Sequence, residues 1–192
     1  MAVEIDNRAT GLRRVPRGFG LIELMVVVAI VVILTMIALP SYRHFIQLNR
    51  LTTDTNNLIA AMNLARNEAA SRGRPVTVCA STDGVACDGA GTDNWSNGWI
   101  VFTDYDPPGQ IGAGDALLRM FGPVGTRNSL TSSGTNLGYV SFGRTGTATF
   151  SNAATAPQTF KVRTTPCETD LVRTVTITPL GRAASQAITT CP

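Results

Sequence analysis

The sequence is poor in the residues that most often do chemistry. It holds one histidine, His44. A lone imidazole with no nucleophile placed beside it in the pattern gives no basis for Ser-His or Cys-His catalysis. None of the four cysteines falls in a C-x-x-C spacing, so the ligand sets of structural zinc sites are missing as well. Charge is scarce at 15% of residues, and basic charge is absent between residues 83 and 115, where six aspartates stand (Asp83, Asp88, Asp93, Asp104, Asp106, Asp115). Part of that stretch, Asp104-Tyr105-Asp106-Pro107-Pro108-Gly109, starts like a calcium loop. The ligand register then fails, because no acid stands at the fifth position and no Glu at the twelfth. A polar hairpin loop is the simpler expectation. These absences point away from an enzyme, a resident metal and a cofactor, toward a structural or binding protein.

The most informative absence is of polar side chains between Phe19 and Leu39, where Glu23 and Thr35 alone interrupt 21 residues. At helical rise these residues cover roughly 30 Å, the thickness of one hydrocarbon core. Arg8, Arg13, Arg14 and Arg17 precede the run against Glu4 and Asp6, so the positive-inside rule keeps residues 1–18 cytoplasmic and places the chain beyond Pro40 outside. The run is longer than a secretory h-region, and no A-x-A site closes it. A plain anchor would explain the length but not Glu23, since a carboxylate in such a helix costs about 2.5–3.5 kcal/mol. Glu23 therefore calls for a cationic partner.

Gly18-Phe19-Gly20-Leu21-Ile22-Glu23-Leu24 resembles the class III signal of type IV prepilins and type II secretion pseudopilins. The resemblance implies a prepilin peptidase as partner, cleavage after Gly18 and N-methylation of Phe19. It also implies a helix-kinking role for Pro40 and an assembly role for Glu23. Gly20 departs from the threonine common at that position. In an assembly of parallel helices, a neighbour's N-terminal ammonium lies at the depth of Glu23. A buried charge pair of this kind can set register between subunits. The chain then divides into three segments: a leader, 1–18; a hydrophobic transmembrane and assembly helix, 19–45; and a periplasmic domain, 46–192.

Cleavage would leave 174 residues and remove four arginines and two acids, taking the balance from 16 against 13 to 12 against 11. Cys79, Cys87, Cys167 and Cys191 all lie in the exported part, where disulfides persist. Three pairings are open. Cys79 with Cys87 and Cys167 with Cys191 is the expected one, because each bond closes a compact loop.

Pro40 should kink the helix or restart it, and beyond it the helical period continues, with Leu51, Leu58, Met62, Ala65 and Ala69 on one stripe and Arg50, Asn57, Asn63 and Asn67 opposite. Gly73 and Pro75 stop it. Strands are expected at 76–78, 99–102, 117–121, 139–142, 147–150, 159–163 and 172–178, with Asn97-Gly98 as a turn. The fold class is α+β, a long helix on antiparallel sheet. Trp95 and Trp99 flank the turn and should pack over a sheet edge. Trp95-Ser96-Asn97-Gly98-Trp99-Ile100-Val101-Phe102 and Arg66-Asn67-Glu68-Ala69-Ala70-Ser71-Arg72-Gly73 resemble the GspH and FimT/FimU subgroup.

From Arg119 onward seven basic residues face two acids. FimT-type pilins that bind DNA carry a Gly-Arg-x-Arg motif, and Gly181-Arg182-Ala183-Ala184 matches its first half. Ala184 removes a phosphate contact, which Arg144, Arg163 and Arg173 could replace if the fold gathered them on one face. A β-turn bearing one solvated arginine is the simpler expectation. The resemblance implies a minor pilin that primes or caps a type IV pilus, with major and minor pilins as partners and the inner membrane as store. A DNA-uptake pilin and a type II secretion pseudopilin are the alternatives.

Overall fold

The computed structural model describes residues 20–105, 108–167 and 171–188. Two compact units divide the chain, residues 1–42 and 43–192. Helix α1, Leu21–Arg72, contributes to both and runs through position 40, so Pro40 does not start a new helix.

In the first unit the helix buries nothing. Its large apolar side chains from Leu21 to Leu39 are 45–79% exposed. The most apolar window has a mean hydropathy of 3.0, and the helix is long and apolar enough to cross a membrane.

In the second unit α1 is the spine of a core. Leu51, Leu58, Met62, Ala65 and Ala69 are fully buried, as their period predicts, and Thr55 and Ala61 join them. Thr55 avoids an orphaned hydroxyl by donating to the Leu51 carbonyl at 2.7 Å. Three alanines in this stripe let backbones approach closely. Gly73 ends the helix with φ +64°, a conformation that costs glycine little.

Among the described residues, nine strands form two antiparallel sheets. Sheet one has the order β3-β2-β1-β5-β6, made of β1 Val76–Ala80, β2 Trp99–Thr103, β3 Leu117–Phe121, β5 Tyr139–Phe142 and β6 Ala148–Phe150. Sheet two has the order β4-β7-β8-β9, made of β4 Asn128–Ser132, β7 Gln158–Thr164, β8 Val172–Ile177 and β9 Ala183–Ile188. The seven expected strands are present. β4 and β9 were not expected, and both are edges of sheet two. β4 offers one buried apolar residue, Leu130, and β9 is mostly exposed small or polar residues. Neither has an apolar alternation of its own, so their neighbours' hydrogen bonds impose the strand.

The inner faces of both sheets meet the α1 stripe in one core, which holds Val78, Val101, Phe142, Leu130, Phe160 and Val175. β1 and β2 are buried on their other face too, where Cys79, Ile100 and Phe102 pack with Cys87, Ile111 and Tyr139. The tryptophans do not sit over a sheet edge. Trp95 and Trp99 are 0% and 2% exposed. Trp95 meets Phe160 edge-on at 4.9 Å, and its Nε1 donates to the Leu137 carbonyl at 2.8 Å. Its backbone N donates to the Leu130 carbonyl at 2.9 Å, so the residue ties the β1–β2 loop of sheet one to β4 of sheet two.

Replacing Leu58 by Ala should cost about 2–5 kcal/mol, because the packed stripe leaves a cavity. Asn63→Ala, on the exposed face, should stay within about 0.5 kcal/mol. Urea unfolding of the two variants, followed by tryptophan fluorescence, measures the difference.

Candidate functional site

Two surfaces are open to partners, and they lie in different units. The first is the apolar helix. Gly18 and Phe19 lie outside the described residues. Glu23 stands in the first turn of α1 and is exposed. It makes no hydrogen bond or ion pair among the described residues, while the Leu24 backbone N donates to Gly20 O at 3.1 Å.

The second surface is basic, and its character depends on where the acids go. Asp83 accepts from the backbone N of Val85 and Ala86 at 2.8 and 2.9 Å. Asp88 takes the Thr82 backbone N and hydroxyl. Asp93 accepts from Ser132 Oγ and Leu137 N. Asp104 accepts from Thr77 Oγ1 at 2.6 Å and Gly109 N at 2.9 Å. Asp115 holds Tyr105 N and Gly112 N. Asp106 lies outside the described residues. The described acids of this stretch thus fasten loops, and no cluster of three potential metal ligands forms among the described residues. Hydrogen bonds from Ala86 and then Val85 hold the Asp83 carboxyl below its usual range. Burial, with Asp104 nearby, pushes the Tyr139 phenol up.

With the acids so engaged, one ion pair forms among the described residues, Arg72 with Glu68 at 2.6 Å. Arg74 lies over the Tyr105 ring and Arg119 over Phe121. Three other arginines gather where two turns meet α1. Thr178-Pro179-Leu180-Gly181 is the turn between β8 and β9, closed by Gly181 N donating to Thr178 O at 2.8 Å. It seats on the β5–β6 turn through Ala148 N to Pro179 O at 2.8 Å. The fit is tight, since a Cβ on Gly181 would overlap the Gly146 carbonyl oxygen and lie 3.3 Å from Arg66 Nε. Arg182 comes directly after the first turn, Arg144 lies in the second, and both are exposed. Arg66 reaches both from α1, and a Cβ on Gly146 would stand 3.0 Å from its Nε.

Arg182 is therefore the expected turn arginine, but it has company. Arg163 and Arg173 do not join it on one face. Arg173 pairs with Val162, the residue before Arg163, so the two arginines lie on opposite faces of sheet two. Arg173 is on the face of the buried Val162, and its Nε is buried without a partner among the described residues. Arg163 Nε approaches Ser129 Oγ at 3.4 Å on the other face. Arg66 was not a candidate from sequence, because helical periodicity placed it on a flank with nothing to mark which turns would arrive beside it. Cys79 and Cys87 are bonded as expected. Cys167 is also disulfide-bonded, and Cys191 lies outside the described residues.

Comparison with known proteins decides the family. The family model described as type II transport protein GspH matches residues 54–181. The chain belongs to the GspH family. The prokaryotic N-terminal methylation motif matches residues 13–39, which covers Arg13, Arg14, Arg17 and Glu23. Among solved structures, the type IV minor pilin FimU of Pseudomonas aeruginosa aligns with TM-score 0.56 at 21% identity, over 75% of this chain and 96% of that one. The minor pseudopilin EpsH of Vibrio cholerae aligns with TM-score 0.50 at 14% identity, over 72% and 97%. At these identities the likeness is one of fold. No curated protein matches the sequence. The chain thus belongs to the GspH family, carries the N-terminal methylation motif, and shares its fold with a minor pilin and a minor pseudopilin.

This geometry has two measurable outcomes. Because the Asp83 pKa is lowered in the folded loop, its contribution is present above the usual carboxylate pKa and lost as pH falls through the lowered value. Amide exchange at Val85 and Ala86 should accelerate in acid, and Asp83→Asn should remove that dependence. Gly181→Ala should destabilise by more than about 1 kcal/mol, since φ is +74° and the added carbon meets Gly146; thermal unfolding reads it.

Proposed function

We propose that this chain is a minor subunit that primes or caps a type IV pilus. Prepilin peptidase would cut after Gly18 and methylate Phe19, and the subunit would wait in the inner membrane with its N-terminus cytoplasmic. The observation that carries this reading is an exposed apolar helix, Leu21 to Leu39, broken by one carboxylate. An exposed surface of that kind needs lipid before assembly and other helices after it. Glu23 would then pair with the amine of a neighbouring subunit's first residue, and the pair would fix the axial stagger. Pro40 would adjust the helix between its membrane part and the periplasmic domain.

Glu23→Ala should leave the chain in the membrane fraction and abolish its incorporation into sheared filaments. Normal incorporation of that variant would sink the reading. Deletion of the gene separates pilus from pseudopilus: lost surface pili support the proposal, whereas blocked exoprotein release with pili intact assigns the chain to type II secretion.

One observation favours a second reading, duplex DNA as a ligand of the basic rim. Arg66, Arg144 and Arg182 converge on adjoining turns, and no acid among the described residues lies in those turns. Binding by the detergent-solubilised chain should weaken steeply with salt, and Arg182→Ala should lower the log–log slope by about 0.9 per lost phosphate contact. No binding at low salt ends this idea.

A further inference from the structure

A second group of arginines lies at the start of the exported unit, and neither reading above uses it. Arg43 and Arg50 are seven residues apart on α1, so they share one helix face, and both are exposed. The turn between β3 and β4 rests on that face: a Cβ on Gly125 would lie 3.7 Å from Arg50 Cδ, and Asn128 N donates to Gly125 O at 2.7 Å. The turn presents Arg127, also exposed. Asp54, the acid on this face among the described residues, is occupied by Gly125 N at 3.2 Å and Asn128 Nδ2 at 2.5 Å. A groove of about 310 Å³ runs here, lined by Ile46, Asn49, Arg50, Thr53, Asp54 and Gly125.

Position along the chain says what this group faces. Arg43 and Arg50 come four and eleven residues after Leu39, hence at most about 6 and 16 Å beyond the end of the apolar run at helical rise. The headgroup layer is itself about 5–7 Å deep, and charges act across a further 8–10 Å at physiological salt. Tyr42 and Phe45, 63% and 59% exposed, flank Arg43. Aromatic side chains of this kind mark the lipid–water boundary.

We infer that Arg43, Arg50 and Arg127 form a collar that holds anionic phospholipid headgroups of the outer leaflet while the subunit is stored in the inner membrane. The inference rests on the membrane-anchored reading of α1. The guanidinium groups take the lipid phosphates, and the groove beside Arg50 gives a headgroup room to enter. The collar makes the stored subunit sensitive to lipid charge, and extraction into a filament must break these contacts.

The test uses the full-length chain reconstituted in phosphatidylcholine vesicles, with spin-labelled phosphatidylglycerol or phosphatidylcholine as probe. Arg43→Gln/Arg50→Gln/Arg127→Gln should lower the phosphatidylglycerol preference, by up to about fivefold for each arginine at low salt. The triple lysine variant should keep it, because headgroup attraction at this range needs charge rather than a guanidinium fork. Equal preference in wild type and the glutamine triple overturns the collar, as does loss in the lysine triple with its tryptophan near-UV signal intact. If the glutamine triple keeps its lipid preference but no longer co-purifies with other pilin subunits, the surface is a subunit contact and the inference falls. Failure of the wild type to float with neutral vesicles would instead refute the anchored reading.

Discussion

The constraint on which the unit of residues 43–192 depends is the burial of one helix stripe against two sheets that share no strand. Leu51, Leu58, Met62, Ala65 and Ala69 present an apolar surface narrow enough for a helix and wide enough to touch both. Each sheet alone would leave an inner face in water, and the helix alone would leave its stripe exposed. Their shared burial is the driving term, and everything else adjusts to it. Trp95 and the contact between the Gly146 and Gly181 turns then fasten sheet to sheet at two separate places.

Charge is arranged by the same folding. Loops that cover the outer face of sheet one carry backbone N–H groups with no strand partner, and aspartates satisfy them. Acids used this way are withdrawn from ion pairing. Arginines on α1 and on the two seated turns therefore stay available to an outside anion. A chain with a net charge of only +3 thus presents locally basic surfaces.

The two halves of α1 obey one helical rule in two solvents. Residues before Pro40 are apolar all round, which suits lipid or a bundle of like helices. Residues after it are apolar on one stripe, which suits a domain core. Glu23 breaks the first pattern and has no partner inside the chain's described residues. The N-terminal methylation motif, matched over residues 13–39, spans it.

Much of this was legible in the sequence. Length and polarity determined the apolar helix, period determined the buried stripe, and local alternation located seven strands, because each depends on residues within a few positions of one another. Edge strands β4 and β9 were not legible, since their pairing comes from β7 and β8 rather than from their own side chains. The basic surfaces were half legible. Arg182 stood out by motif, and Arg144 was one of three arginines that folding could bring to it, whereas Arg66 joins them only because two turns distant in sequence close on the same point of α1. Strand register separated Arg163 from Arg173, a one-residue offset that no composition records. Sequence determined which charges exist and which stretch of helix is apolar all round; tertiary structure decided which carboxylates would be consumed by loop N–H groups, and so which arginines remained exposed.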